Sequence, residues 1–240
     1  MHKVIERIKA YLEAKQLLLA GTRGVWLLAL LGLLSGVIVG MIVILFRLLI
    51  ETTQSSFLPD GDPEHYELLQ WTERLLLPMT GGVVLGLLFL VVSRAPVRLG
   101  VIHVMERLAY HEGHLSARTA LMQFFGGALA IISGHSVGRE GPSIHLGAAT
   151  ASLMGQWLRL PNNSIRTLVA CGASAAIAAS VNTPLAGVIF AMEVIMMEYT
   201  ISGFTPIILA AVSATTLNRL AFDSLPTFIV PELALHSFWE

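Results

Sequence analysis

Charged residues make up only 13% of this 240-residue chain, about half of the roughly 25% found in soluble domains. Such scarcity excludes an ordinary water-facing globular surface. A basic surplus is missing too: 15 Lys and Arg stand against 16 Asp and Glu, so nothing neutralises a phosphate backbone and nucleic-acid binding is excluded. The single cysteine, Cys171, lies in an apolar run. It cannot form an internal disulfide or a thiolate metal cage, and it reads as a small buried hydrophobe. There is no low-complexity tract, no repeat, and no N-terminal apolar core long enough for a signal peptide.

What remains is apolar. Hydrophobic residues account for 55% of the chain and the mean hydropathy is +0.72, the composition of a protein that spends its length on membrane spans of about 20 residues. Residues 1–23 place Val4, Ile5, Ile8, Leu12 and Leu19 at helical spacing among Lys3, Arg7, Lys9 and Lys15; this segment is either an amphipathic helix on the membrane surface or a surface helix packed on its own protein. The first apolar run, Val25 to Ile50, is interrupted only by Ser35 and Arg47 and is long enough to tilt. Gly32, Gly36 and Gly40 share one stripe, a small-residue pattern that lets another helix approach closely. An acidic stretch with Asp60, Asp62, Glu64 and Glu67 follows, then a second apolar run from Pro78 to Val92, then Arg94, Arg98, Arg107 and Arg118. Basic groups before the first run and after the second place both on the cytoplasmic side, with the acidic loop outside.

Beyond residue 100 the apolar segments, near 119–133, 143–158, 165–180, 184–199 and 203–221, are short or broken by Gly and Pro. That pattern points to discontinuous helices whose ends meet near the midplane around a ligand; the alternative is plain spans with packing glycines. The most informative stretch is Ser133-Gly134-His135-Ser136-Val137-Gly138-Arg139-Glu140-Gly141-Pro142-Ser143-Ile144-His145-Leu146-Gly147. Ionisable residues inside a membrane segment are expensive and functional by default. Gly138 and Gly141 permit a tight loop, and Pro142 is preset for a first helical turn, so the spacing predicts a helix starting at Gly141-Pro142. Its unpaired N–H groups and positive dipole end form an anion site, with Glu140 at the mouth as a tethered anion that leaves when protonated. The alternative is that Glu140 pairs with Arg139 and only caps the helix.

Gly138-Arg139-Glu140-Gly141-Pro142, with the later Asn182-Thr183-Pro184-Leu185-Ala186-Gly187-Val188-Ile189-Phe190-Ala191-Met192-Glu193, resembles the ClC family of chloride channels and proton/chloride antiporters. The resemblance covers most of 24–221. It implies that Glu140 is the gating glutamate and that Gly138, Arg139, Gly141 and Pro142 line the anion site, with Gly100 supplying a further backbone contact. Three departures accompany it. Arg98-Leu99-Gly100-Val101-Ile102 stands where the family carries Gly-Ser-Gly-Ile-Pro, and Leu99 has no side-chain donor. Val194 stands where proton-coupled members carry a glutamate, which leaves Glu193 and the poorly placed Glu198 for a proton path. The chain matches one of the family's two inverted halves.

Glu193 lies in an otherwise apolar helix and is expected to face protein or a cavity, either as a structural hydrogen-bond partner or as part of a proton path. Gly172, Ala176, Ser180 and Gly187 mark close packing, and Met192, Met196 and Met197 read as core or subunit interface. Two rival chemistries are weaker. Gly134-His135-Ser136-Val137-Gly138 fits the hydrolase elbow, with Asp223 and His236 following in order, but no strand signature precedes it. His103, His111, Glu112 and His114 lack the spacing of a zinc helix, while His135 and His145 are placed to tune a pH response near Glu140.

The expectation is an all-α, multi-pass membrane protein with short, tilted, discontinuous helices, one half of an inverted-repeat ClC-type fold. Residues 1–23 are the cytoplasmic helix, 24–221 the membrane domain and 222–240 a loop toward a second half. Its role is passage of chloride or a similar small anion, with no enzymatic step, metal or cofactor. By the resemblance it is a homodimer, in the plasma membrane or bacterial inner membrane, with its N-terminus cytoplasmic. The alternatives are a non-transporting half that needs a partner chain, and an exporter of fluoride or nitrate.

Overall fold

The computed structural model describes residues 22–59, 65–92, 98–198 and 201–222. Almost all of the expected 1–23 helix and of the 222–240 loop lies outside them, as do Asp223 and His236. Eight α-helices are described: α1 (Thr22–Phe57), α2 (Trp71–Val92), α3 (Gly100–Tyr110), α4 (Ala117–Ile132), α5 (Glu140–Trp157), α6 (Asn162–Val181), α7 (Pro184–Phe190) and α8 (Ile201–Ala221). A 3-10 turn (Tyr66–Leu68) precedes α2, and a π-helical turn (Ala191–Met196) continues α7. The described residues contain no strand.

Among the described residues, four helices are long and apolar enough to cross a membrane: Gly24–Phe57 of α1, Trp71–Val92, Asn162–Val181 and Gly203–Ala221 of α8. The shorter apolar helices are Ala117–Ile132 and Pro184–Met196. Two segments expected to be short or broken by Gly and Pro, around 165–180 and 203–221, are long enough to span. The apolar run understates α6 because Asn162, Asn163 and Ser164 enter the helix in its first turn. Pro78 and Pro206 lie inside α2 and α8 rather than ending them. At about 1.5 Å per residue the 36 residues of α1 reach roughly 54 Å, well beyond a ~30 Å hydrocarbon core.

Small residues set the packing. In α1, a Cβ on Gly36 would overlap Ala210 and Ser213 of α8, and one on Gly40 would sit 3.2 Å from Ala214 Cα. The glycine stripe is the seam between these two helices. A second crossing joins α5 and α6, where a Cβ on Gly147 would strike the Gly172 carbonyl and one on Gly172 would strike the Gly147 carbonyl. Each backbone fills the space the other leaves, so dispersion contacts replace the hydrophobic drive that lipid does not supply.

Around these seams lies an alanine-rich core. Val39 and Val43 of α1, Ala175, Ala176, Ala178 and Ala179 of α6, Val188, Met192, and Ile207, Ala210, Ala211 and Ala214 of α8 contribute to one cluster. Val104 and Leu108 of α3 pack with Ile144 and Ala148 of α5, Val169 of α6 and Ile195 of the π turn in another. α6 is central to both, and Cys171 is buried within it. Met192 is buried and Met196 half-buried, as expected for core, whereas Met197 is exposed.

Candidate functional site

α4 ends at Ile132, and Gly134 adopts φ +76° just beyond it. The Gly134 N–H donates to Ile131 O at 3.0 Å and the His135 N–H to Ala130 O at 3.1 Å, the paired bonds of a Schellman stop. Glycine is required there because the left-handed backbone penalises a Cβ. Gly134 to Gly138 thus follows a helix and not a strand, so Ser136 is not raised on a hydrolase elbow. Ser136 and Gly138 are exposed on the loop.

α5 opens at Glu140, one residue before the predicted Gly141 start. The reason is local: Arg139 has helical dihedrals, φ −76° and ψ −20°, and its carbonyl accepts from the Ser143 N–H at 3.1 Å and from Ser143 Oγ at 2.8 Å. The Glu140 and Gly141 amides therefore lie at the open end of the helix, and Pro142 has no N–H to offer. The exposed Glu140 side chain folds back over the loop, since a Cβ on Gly138 would overlap its Oε2. It forms no hydrogen bond or ion pair with any described residue.

Arg139 turns elsewhere. Its guanidinium donates to Glu51 Oε1 at 3.3 Å, and the same oxygen accepts from Arg47 Nε at 2.6 Å. The expected alternative of an Arg139–Glu140 pair is thus not formed. An oxygen 88 residues away takes the arginine, a long-range partner that local spacing does not reveal. Arg139 also lines a cavity of about 620 Å³ together with Gln54, Tyr66, Arg74, His135 and Ser136. In its wall the Tyr66 hydroxyl accepts from Gln54 Nε2 at 2.9 Å and donates to Ile132 O at 2.8 Å. Burial raises the Tyr66 pKa above its ordinary value, which keeps this hydroxyl a neutral donor. His135 Nδ1 sits 3.1 Å from Ser133 Oγ.

Gly100 opens α3 with φ +80°, following an extended Leu99 that supplies no side-chain cap. Its N–H is already engaged: it points to Gln123 Oε1 at 2.9 Å and to His145 Nδ1 at 3.0 Å. Sequence reasoning named His145 but missed Gln123, a buried amide on α4. The only signal was a polar residue in the apolar run of 119–133. Since His145 lies five residues beyond Glu140, about 7.5 Å along α5, the structure brings Gly100 and Gly138 to Pro142 to one helix. It does not bring Glu193 or Glu198 there. Both are exposed, because the π turn directs Ala191, Met192 and Ile195 inward and Glu193 outward. Among the described residues nothing covers the Glu193 side chain. Asn182 ends α6 in the left-handed conformation and accepts from Arg219 Nε at 2.9 Å. No group of three or more metal-ligating side chains occurs among the described residues.

The voltage gated chloride channel family model matches residues 81–240. The chain belongs to this family. It is 35% identical over 176 residues to a putative ClcB-like chloride channel protein of Ralstonia nicotianae, covering 72% of this chain and 41% of that protein. It is 34% identical over 125 residues to the H(+)/Cl(−) exchange transporter ClcA of Vibrio cholerae, covering 49% of this chain and 27% of that one. Among solved structures, a CLC-type fluoride/proton antiporter matches with a TM-score of 0.72 at 27% identity, over 91% of this chain and 53% of that chain. The chain thus spans about half or less of the length of these family members. Family and apolar helices together make it an integral membrane protein with a partial ClC fold.

Proposed function

We propose that this chain supplies one half of a pathway for chloride or a similar small anion, gated by protonation or displacement of the Glu140 carboxylate. The observation that carries this reading is the state of Glu140: first residue of α5, exposed, folded over Gly138 and without a partner among the described residues, while Arg139 is held by Glu51. A carboxylate at the open end of a helix occupies the place an anion would take. When ionised it competes for the Glu140 and Gly141 amides, and when protonated it loses that attraction and swings away. Gly138, Arg139, Gly141, Pro142 and Gly100 form the backbone surroundings of the anion in this proposal. The N-terminus is cytoplasmic, in a plasma membrane or bacterial inner membrane, and the assembly is a homodimer.

The anion and the mode of transport belong to the proposal too, since relatives carry the names of channel, chloride exchanger and fluoride antiporter. Leu99 removes a hydroxyl from the end of α3, which favours selectivity set by backbone amides. Val194 removes a carboxylate and favours passage without obligatory proton coupling.

A second reading, a half that transports nothing without a partner chain, is favoured by one observation: Glu193 is exposed, as are the apolar Leu185 and Ile189 earlier in the same continuous helical segment. A carboxylate on such a segment is costly in lipid and calls for a covering surface. Reconstitution into chloride-loaded liposomes, recording chloride efflux and external pH together, tests both. Efflux from this chain alone supports the pathway; efflux that appears only with a co-purifying polypeptide supports the half. Silence under both conditions contradicts the proposal.

A further inference from the structure

The polar cluster behind Gly100 has a composition the gate does not need. His145 is fully buried, yet its Nε2 has no hydrogen-bond partner among the described residues. One turn into α3 stands His103, whose ring centroid is 5.4 Å from that of His145. His103 Nδ1 also lacks a hydrogen bond and lies 3.8 Å from Glu106 Oε2. The three side chains form a graded series: Glu106 is 27% exposed, His103 12% and His145 0%. Titratable groups thus lead stepwise from solvent to the amino end of α3.

We propose that the His103–His145 pair is a proton-binding site whose occupancy is linked to an anion at the amino end of α3. This rests on the reading of Gly100 as part of the anion site. The linkage follows from hydrogen-bond directions. With the Gly100 N–H aimed at His145 Nδ1, that nitrogen is an acceptor and the ring's own proton sits on Nε2. A second proton, taken up on Nδ1, puts donor against donor. The imidazolium then donates to Gln123 Oε1, 3.1 Å away, and competes with Gly100 for the same oxygen. The Gly100 N–H is released toward an anion, and a positive charge now stands beside it. Conversely, an anion there offsets the burial of that charge and draws a proton in. Two imidazoles this close repel when both are charged, so the pair holds one added proton between them.

The other charged groups around the pair leave this assignment intact. From α3 come Glu106, paired with Arg98, and Arg107, whose Nε is bound to His114 O. α4 offers the neutral Gln123. On α6, Arg166 donates to the Leu108 carbonyl and Cys171 is buried in the core; on α1, Glu51 pairs with both Arg47 and Arg139, the latter just before the first residue of α5.

Chloride binding to the full chain carrying Glu140→Gln, which removes the gate's own proton, tests the linkage by calorimetry in buffers of different ionisation enthalpy. The expected result is proton uptake with chloride, and an affinity that tightens as pH falls, by at most about tenfold per pH unit over the range in which the anion draws the proton in. Adding His145→Asn should abolish both. Isotope-labelled histidine NMR on the unsubstituted chain gives a readout that does not require the variant to fold: one buried imidazole should gain a proton when chloride is added at constant pH. Chloride binding with no proton uptake and no change in any imidazole overturns the linkage alone. Absence of chloride binding at every pH overturns the anion-site reading and the linkage with it.

Discussion

Replacing Gly172 by alanine adds one methyl group at the α5–α6 crossing, and the structure fixes what that methyl meets. Its nearest neighbours are the Gly147 carbonyl, with Gly147 C and Ala151 Cβ both at 2.7 Å. Two of the three are backbone atoms that cannot rotate aside. Restoring ordinary contacts of about 3.5–4.0 Å between carbons requires the helices to part by roughly 1 Å, which loosens packing along the whole seam. Overpacking of this kind costs about 1–3 kcal/mol. Alanine is also the better helix former, by about 1 kcal/mol, which obscures the cost in a single variant. Gly86 of α2 supplies the control, because a Cβ there meets nothing within 4 Å. The propensity gain is common to Gly86→Ala and Gly172→Ala, so their difference isolates the crossing. In detergent micelles, followed by far-UV circular dichroism, Gly172→Ala should melt below Gly86→Ala by roughly 2–12 °C, at about 2–4 °C per kcal/mol. Equal melting temperatures, or a higher one for Gly172→Ala, would refute the claim that reciprocal glycines set this interface.

Two further outcomes follow from the site. Gly138→Ala places a Cβ where Glu140 Oε2 lies; the obstacle is the far end of a flexible side chain, so the melting temperature should hold while anion efflux at neutral pH rises in the liposome assay. Tyr66→Phe removes the donor to Ile132 O and strands the buried Gln54 amide, which should cost about 1–3 kcal/mol in the same melting experiment without changing anion selectivity.

Much of this arrangement was legible in residue order. The Gly32, Gly36, Gly40 stripe announced a close helix partner, and the run from Gly138 to Pro142 announced a loop entering a helix. Both depend on local spacing, which sequence displays directly. The partners were less visible. That Arg139 binds Glu51 and not its neighbour, and that the Gly100 amide is taken by Gln123 and His145, are long-range pairings created only when α1, α4 and α5 assemble. The π turn at Ala191–Met196 escaped for another reason: one extra residue per turn leaves composition unchanged, yet it rotates Glu193 out of the buried set. The start of α5 was misplaced by a residue because Arg139 adopts helical dihedrals that glycine spacing alone does not dictate.

The central claim is that the Glu140 carboxylate is the gate. Its most direct test is the pH profile of chloride efflux from liposomes holding the chain, with any co-purifying partner, compared before and after Glu140→Gln. The account predicts that the substituted protein conducts at neutral pH and loses the acid activation attributable to the carboxylate. An unchanged pH profile would contradict it.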